Sequence, residues 1–429
     1  MRVLVLGGGA REHALISRLA ADRDTGDLLA APGNPGIARI ARTAPVDLRD
    51  LNAIQALADR EQIDFTVVGP ELPLSLGIAD RFAADRRLLF GPTAAAARLE
   101  SSKAFAKAFM ARHGIPTARF RTCESMDAAL ASVRGGEFGL PVVLKADGLA
   151  AGKGVVIADD RATAERAITD AMRDRKFGDA GDRLVIEECL QGPEVSFFCV
   201  CDGTRAVPIG AAQDHKRAFD GDRGPNTGGM GAFAPSPLLD ASAAAAVMAV
   251  VVAPVLRGMR AEGTEYRGFL YAGLMMTCAG PKVIEYNVRF GDPETQVVLP
   301  RITSDLTSVL VEVAAGQLVS EPSFGSDAMV TVMMCTEGYP HAPRPGDPIE
   351  GLDDRVDDAL HRALVDPRHR RIGTHPAGVR ALLTVTDALV VLGGREREHP
   401  LAVAEAEQRE LRTHETFLDD HSAAGIAER

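Results

Sequence analysis

The stretch KVIEYNVRFGDPET, residues 282–295, carries the strongest local signal in the chain. Read as a strand, its side chains alternate between faces, so Glu285, Asn287 and Arg289 emerge together while the apolar residues between them are free to pack. One face thus presents a carboxylate, an amide oxygen and a cation in succession. Hard oxygen ligands of this kind suit Mg2+, which keeps waters and substrate phosphates as its other ligands. Arg289 would stabilise charge on a transferring phosphoryl group or on the carboxylate that attacks it. A solvated strand face with an internal salt bridge has the same spacing, but the acid-rich turn GDPET that follows directly weighs against it.

Upstream, DGLAAGKGV (147–155) imitates a P-loop and departs from it: only three residues separate Gly148 from Gly152, and Lys153 is followed by Gly154 instead of Ser or Thr. Its flanks read as strand and strand. A glycine-rich flap between two strands can fold over a triphosphate, donating backbone N–H groups while Lys145 and Lys153 neutralise charge. A plain flexible hairpin is the alternative. Further on, residues 211–237 read as a long polar loop with Asp214, His215, Lys216 and Asn226, and with Gly228, Gly229 and Gly231 whose amides could hold a small carboxylate. His215 has no neighbour that marks it as a base and reads as structural.

The opening GGGAREHA (7–14) begins like a dinucleotide fingerprint, yet Glu12 stands where the third glycine belongs. The second strand ends in APGN, without the acid that would take a ribose hydroxyl. What remains is an anion cradle of glycine amides at a helix start, with Arg11 adding charge. Around it, residues 1 to about 100 alternate short apolar strands with helical stretches, the rhythm of an open parallel sheet with helices on both faces. Ligands bind such sheets beyond the carboxyl ends of the strands, here the loops GGGAREH, APGNPG and VGPELP. Residues 122–191 read as a small α+β unit, and 192–325 as further strands with helices at 240–261 and 303–316.

The background is that of a folded protein. At 429 residues, 46% hydrophobic and 25% charged, the chain is sized for about three compact units and lies outside the disordered, collagen-like and coiled-coil classes. A net charge of −11 argues against nucleic acid or an anionic membrane as partner. The longest apolar run, 243–253, has eleven residues against the roughly 20 that span a bilayer, and the N-terminus enters a strand without a cleavable signal pattern, so a cytoplasmic protein is expected. Six cysteines without a CxxC pair read as reduced thiols. Only seven of the 48 basic residues are lysines, so each retained Lys is a candidate for a site that needs a compact point charge.

In order along the chain, GxGAREHA, APGN, VGPE, FGPT, SSKAF, KADGLAAGKGV, VIEE, QDHKR, GPNTGGMGA and EYNVRFGDPETQ resemble the ATP-grasp superfamily and, within it, the phosphoribosylamine glycine ligase family, from residue 1 to about 345. The resemblance implies an α/β and α+β multidomain fold. Its parts would be an N-terminal open parallel α/β substrate domain (1–102), a central ATP-grasp lobe (103–121 and 192–325), a small ATP-clamping lobe (122–191) and a C-terminal domain (326–429). It implies ATP-dependent ligation of glycine to 5-phosphoribosylamine through glycyl phosphate, giving glycinamide ribonucleotide, ADP and phosphate, the second step of purine synthesis. Mg2+ or Mn2+ would serve as cofactor, with small molecules and no obligate protein as partners.

The same resemblance assigns site residues. Lys103 and Lys145 would contact ATP phosphates under a loop that includes Gly148, Gly152, Lys153 and Gly154. Glu187, Glu188, Cys189 and Leu190 would hold the adenine, partly by backbone, with Glu194 on the ribose. Glu285 and Asn287 match metal ligands, and Arg289, Lys145 and Asp214 match catalytic positions. Gly9, Arg11, Glu12, Asn34, Gly69 and Glu71 would line the N-terminal face, and Asp214, Lys216, Asn226, Gly228, Gly229, Arg289 and Asp292 the pocket for sugar and glycine. Lys107, Lys176 and Lys282 receive no role. Past about residue 350 only echoes of the family's closing motifs remain, and the composition turns rich in His and Arg without Lys. Two other readings are another ATP-grasp enzyme of purine metabolism, opposed by QDHKR with GPNTGGMGA, and a catalytically impaired nucleotide-binding paralogue, opposed by intact Lys145, Glu285, Asn287 and Arg289.

Overall fold

The computed structural model describes residues 1–149, 154–219, 223–333, 335–336, 338–344 and 379–381. Strands β1 (Arg2–Gly7), β2 (Asp27–Pro32), β3 (Arg42–Thr43), β4 (Phe65–Val68) and β5 (Leu88–Phe90) form a parallel sheet in the order β3-β2-β1-β4-β5. Val3, Leu4, Val5 and Leu6 are all fully buried, as expected for a strand covered on both faces. The strand order reverses at β1, which lies between β2 and β4. The loops after β1, β2 and β4 therefore open at one crevice, where open α/β sheets bind ligands.

A second sheet is antiparallel: β6 (Phe120–Cys123), β7 (Val142–Ala146), β8 (Val155–Ala158) and β9 (Leu184–Glu188), in the order β6-β9-β7-β8. One face of it packs on its own small core, which includes Val142, Leu144, Ala146, Ala158, Leu184 and Ile186. Cross-strand partners share a face. The pairs Lys145–Val155, Val143–Ile157 and Val143–Glu187 thus put Lys145, Glu187, Val155 and Ile157 together on the opposite face.

The third sheet joins β10 (Glu194–Asp202), β11 (Ala206–Phe219), β12 (Arg223–Ala234), β13 (Arg267–Thr277), β14 (Gly280–Asn287), β15 (Ala328–Val332) and β16 (Val379–Ala381) in the order β14-β13-β10-β11-β12-β15-β16. The polar segment 211–237, expected as a loop, instead lies mostly in the long β11–β12 hairpin, with Gln213 opposite Phe233 and Asp214 opposite Ala232. Its glycines and charged residues hide the strand pattern, and pairing of β12 with β15 supplies order that composition does not announce. Of the expected C-terminal domain, most residues past 344 lie outside the described residues.

The helix Ala241–Ala261 runs 21 residues at mean hydropathy 1.8, enough by length and composition to cross a membrane and longer than the eleven-residue run suggested. Its Val247, Val251, Val252, Val255, Leu256 and Met259 are buried in the core shared with β10, β13 and β14. The N-terminal sheet is fastened to the third sheet's helices by Asp22, which accepts hydrogen bonds from the Leu306 and Thr307 amides at 3.0 and 2.8 Å.

Candidate active site

The short helix Lys103–Arg112 begins the site. Ser102 caps it by accepting from Phe105 N–H at 3.1 Å, and the same hydroxyl donates to Asp147 at 2.9 Å. Asp147 also accepts from the Ala104 amide at 3.1 Å, so its carboxylate sits on the positive end of the helix. This is why SSKAF and KADG act together. Asp147 pins the start of the glycine flap, and Lys103 Nζ reaches the Gly148 carbonyl at 2.9 Å. Gly154 closes the flap by accepting from the Ala146 amide at 2.8 Å, while Gly152 and Lys153 lie outside the described residues.

Lys145 crosses from the second sheet to the third, donating to the Ile284 carbonyl at 3.0 Å beside Glu285. Burial opposes the charge of Glu285, but Lys145, Lys216, Lys103 and Arg289 outweigh it and hold its carboxyl below the ordinary range. Asn287 follows two residues on and is buried. A carboxylate and an amide oxygen on one strand face, under several cations, fit a divalent ion that completes its shell with phosphate oxygens.

At the end of β14 the N-terminal domain meets the strand. Arg289 pairs with Glu100 at 2.8 Å and with Glu71 at 3.3 Å. Its Nη1 and that of Arg11 both donate to the Phe290 carbonyl, at 3.0 and 3.1 Å. Burial works against ionised Glu71, yet Arg289 and then Arg11 keep its carboxyl below the usual value. Glu12 corrects the reading of the glycine loop. Its carboxylate accepts from Gly9 N–H at 2.7 Å and from Arg11 at 2.7 Å, so the helix start already holds an anion of its own. A Cβ at Gly69 would lie 2.3 Å from Glu12 Oε1, which explains the glycine in VGPE. Asn34 bridges the loops by donating to the Gly8 carbonyl at 3.0 Å and accepting from Ile37 N–H at 2.7 Å.

The β11–β12 hairpin supplies the remaining wall. Lys216 pairs with Glu194 and stands 3.9 Å from Asp214. Burial pushes the Asp214 carboxyl up to about 7, against the pull of Lys216 and with help from Glu294 and Glu194. Asn226 lies on β12 opposite Arg217. A Cβ at Gly229 would lie 2.5 Å from Pro293 Cδ, so the hairpin presses directly on the GDPET turn, whereas at Gly228 there is open space. Asp292 is half-buried and accepts from Gln296 at 2.7 Å.

Some sequence expectations separate here. Glu187 and Glu188 point to opposite faces of β9: Glu187 lies against Lys145 and Lys107, while Glu188 pairs outward with Arg119 and Lys282. Cys189 and Leu190 follow, half-buried, and the chain from 191 to Glu194 is exposed. Sequence reading missed Glu100 and Glu294. Glu294 is buried and accepts from Ser196 at 3.0 Å and Tyr271 at 2.8 Å, a set of partners far apart in the chain. It also missed Val155 and Ile157, whose signal was available: apolar side chains at alternate strand positions, here 37% and 52% exposed beside Lys145.

Comparison with known proteins agrees with this geometry. Residues 1–100 match the phosphoribosylglycinamide synthetase N domain, and residues 101–295 the phosphoribosylglycinamide synthetase ATP-grasp (A) domain. A phosphoribosylamine–glycine ligase of Xylella fastidiosa is 51% identical over 357 residues, covering 82% of this chain and 83% of the relative. One from Streptomyces coelicolor is 48% identical over 401 residues, 92% of this chain and 90% of the relative. The crystal structure of the Thermotoga maritima phosphoribosylamine–glycine ligase superposes with a TM-score of 0.71 at 34% identity, covering 81% of this chain and 83% of that one.

Proposed function

The chain belongs to the phosphoribosylglycinamide synthetase family of ATP-grasp ligases and joins glycine to phosphoribosylamine in purine biosynthesis, using ATP and a divalent metal, and we propose that it does so through glycyl phosphate at the meeting point of β14, the glycine flap and the N-terminal loops. The observation that carries this reading is convergence on one strand. Lys145 bonds the backbone just before Glu285, and Arg289 joins Glu71 and Glu100 just after Asn287.

Lys103, Lys145 and the flap from Gly148 to Gly154 bind the phosphates, with Val155 and Ile157 against the adenine face and the β9 end from Glu187 to Leu190 at its edge. Glu285 and Asn287 hold Mg2+ or Mn2+, which when bound neutralises phosphate oxygens. One oxygen of glycine's carboxylate attacks the γ-phosphorus as the bond to ADP breaks, and Arg289 stabilises the charge that develops. The amine of phosphoribosylamine then attacks the acyl carbon and phosphate leaves. Asp214 takes the amine proton, a role supported by a carboxyl that ionises near neutral pH. Arg11, Lys216 and Asn226 bind the sugar phosphate and the amino acid. The four-part division at 102, 121, 191 and 325 follows the same logic, with the 122–191 unit closing over ATP. Six free thiols support a cytoplasmic setting, and the reaction needs no protein partner.

The test is ADP formation from ATP and Mg2+, with and without glycine, and with and without phosphoribosylamine generated in situ. Turnover that requires both substrates is expected. ATP binding without turnover would overturn the reading in favour of an impaired paralogue.

A further inference from the structure

Lys107 is a charged residue at a place where charge is costly. It lies one helical turn after Lys103, and its side chain is only 2% exposed. Its Nζ stands 2.7 Å from Glu187 Oε2 and donates to Thr117 Oγ1 at 2.7 Å. Thr117 in turn donates to the Val283 carbonyl at 2.6 Å, one residue before the carbonyl that receives Lys145. Burial pulls the Lys107 ammonium down to about 8, with Glu187 acting in the opposite direction and Lys145 adding to the fall. An apolar side chain would avoid that penalty.

The two lysines share Glu187 unequally. Glu187 Oε1 lies 3.1 Å from Lys145 Nζ, yet it makes no hydrogen bond there. An ammonium carries three N–H donors, and Lys145 commits one to Ile284. Two cations share Glu187, so Lys145 keeps N–H donors that Glu187 does not occupy, beside Glu285 and in reach of an incoming phosphate. With Lys107 gone, Glu187 would have Lys145 as its one close cation and would draw it in.

We infer that Lys107 is a positioning residue for the nucleotide: by holding the Glu187 carboxylate, it keeps the Lys145 N–H donors that Ile284 does not take available to a phosphate. This rests on the reading of Lys145 as a phosphate contact, and the experiment separates the two. MgADP binding to the full chain is measured by calorimetry for K107M, E187Q, K107M/E187Q and K145M. K107M should bind MgADP about tenfold more weakly while the Michaelis constant for glycine stays unchanged. The double variant should bind within about threefold of E187Q, because no carboxylate remains to capture Lys145.

A double variant weaker than E187Q by as much as K107M is weaker than wild type would overturn the inference. So would a K107M protein that loses thermal stability and keeps its affinity. If K107M does not fold, the double variant against E187Q decides alone, since it removes the Lys107 ammonium and the Glu187 carboxylate together. K145M with wild-type affinity would remove the phosphate reading and the inference with it, whereas a weakened K145M beside an additive cycle removes the inference only.

Discussion

Two ion clusters flank β14 and are built from opposite arithmetic. Before Glu285, two ammonium groups, Lys107 and Lys145, surround one carboxylate, Glu187. After Asn287, two carboxylates, Glu71 and Glu100, bracket one guanidinium, Arg289. The first gives one carboxylate two ammonium partners, which leaves N–H donors for a group that must receive phosphate. The second fixes the plane of a fork-shaped cation between acceptors, which suits a group that must act from one orientation. Burial raises the Glu100 carboxyl above the ordinary range, and the Arg289 guanidinium pulls it the other way. In a chain that carries Arg at nearly every other basic position, Lys persists in the first cluster and Arg occupies the second.

The largest effect should come from the residue between the clusters. Glu285→Gln removes the anion from the oxygen pair, and metal-dependent turnover should fall by about a thousandfold with an unchanged melting temperature; near-normal rates across a metal titration would take Glu285 out of the ligand set. Arg289→Lys keeps the charge and loses the fork that reaches Glu71, Glu100 and the Phe290 carbonyl. Its kcat should drop about a hundredfold with MgADP affinity intact. The reverse exchange, Lys145→Arg, brings a planar group to a pocket shaped by Ile284 and Glu187. Here the Michaelis constant for ATP should rise about tenfold and kcat change less. If the two exchanges gave the same pattern, the contrast between a point-charge site and a fork site would be wrong.

How much of this was legible in the sequence follows from how local each signal is. The parallel sheet was readable because Val3–Leu6 is a continuous apolar run and Phe65–Val68 one broken only by Thr66, each followed by a glycine-bearing turn. Glu285, Asn287 and Arg289 were readable because strand alternation alone aligns them. The β11–β12 hairpin was not, because its order comes from pairing with β15 nearly a hundred residues downstream in a polar, glycine-rich stretch. Glu100, Glu294 and Lys107 escaped for a related reason. None of the three has a role that its own segment reveals, and each gains one only from a partner across the fold: Arg289, Tyr271 and Glu187. Glu12 was legible as a departure from the dinucleotide pattern, but its physical consequence, an anion already seated at the helix start, required coordinates.

The smallest predicted effect sharpens the comparison from the apolar side. Ile157 and Val155 share the face of Lys145 and remain exposed, although the other face of the same sheet is packed by Leu144, Ala146 and Ala158. Exposed apolar side chains beside a buried ammonium fit a ligand with a flat ring at one end and phosphates at the other. Ile157→Ser removes part of the ring's contact surface without touching any charge, so MgADP affinity should weaken by only about fivefold. Inhibition by tripolyphosphate, which has no ring, should be unchanged in Ile157→Ser and reduced in Lys145→Arg. A tripolyphosphate response that moved with Ile157 would mean the substitution had shifted β7 and its lysine, and the division of this face into an apolar half and a cationic half would fail.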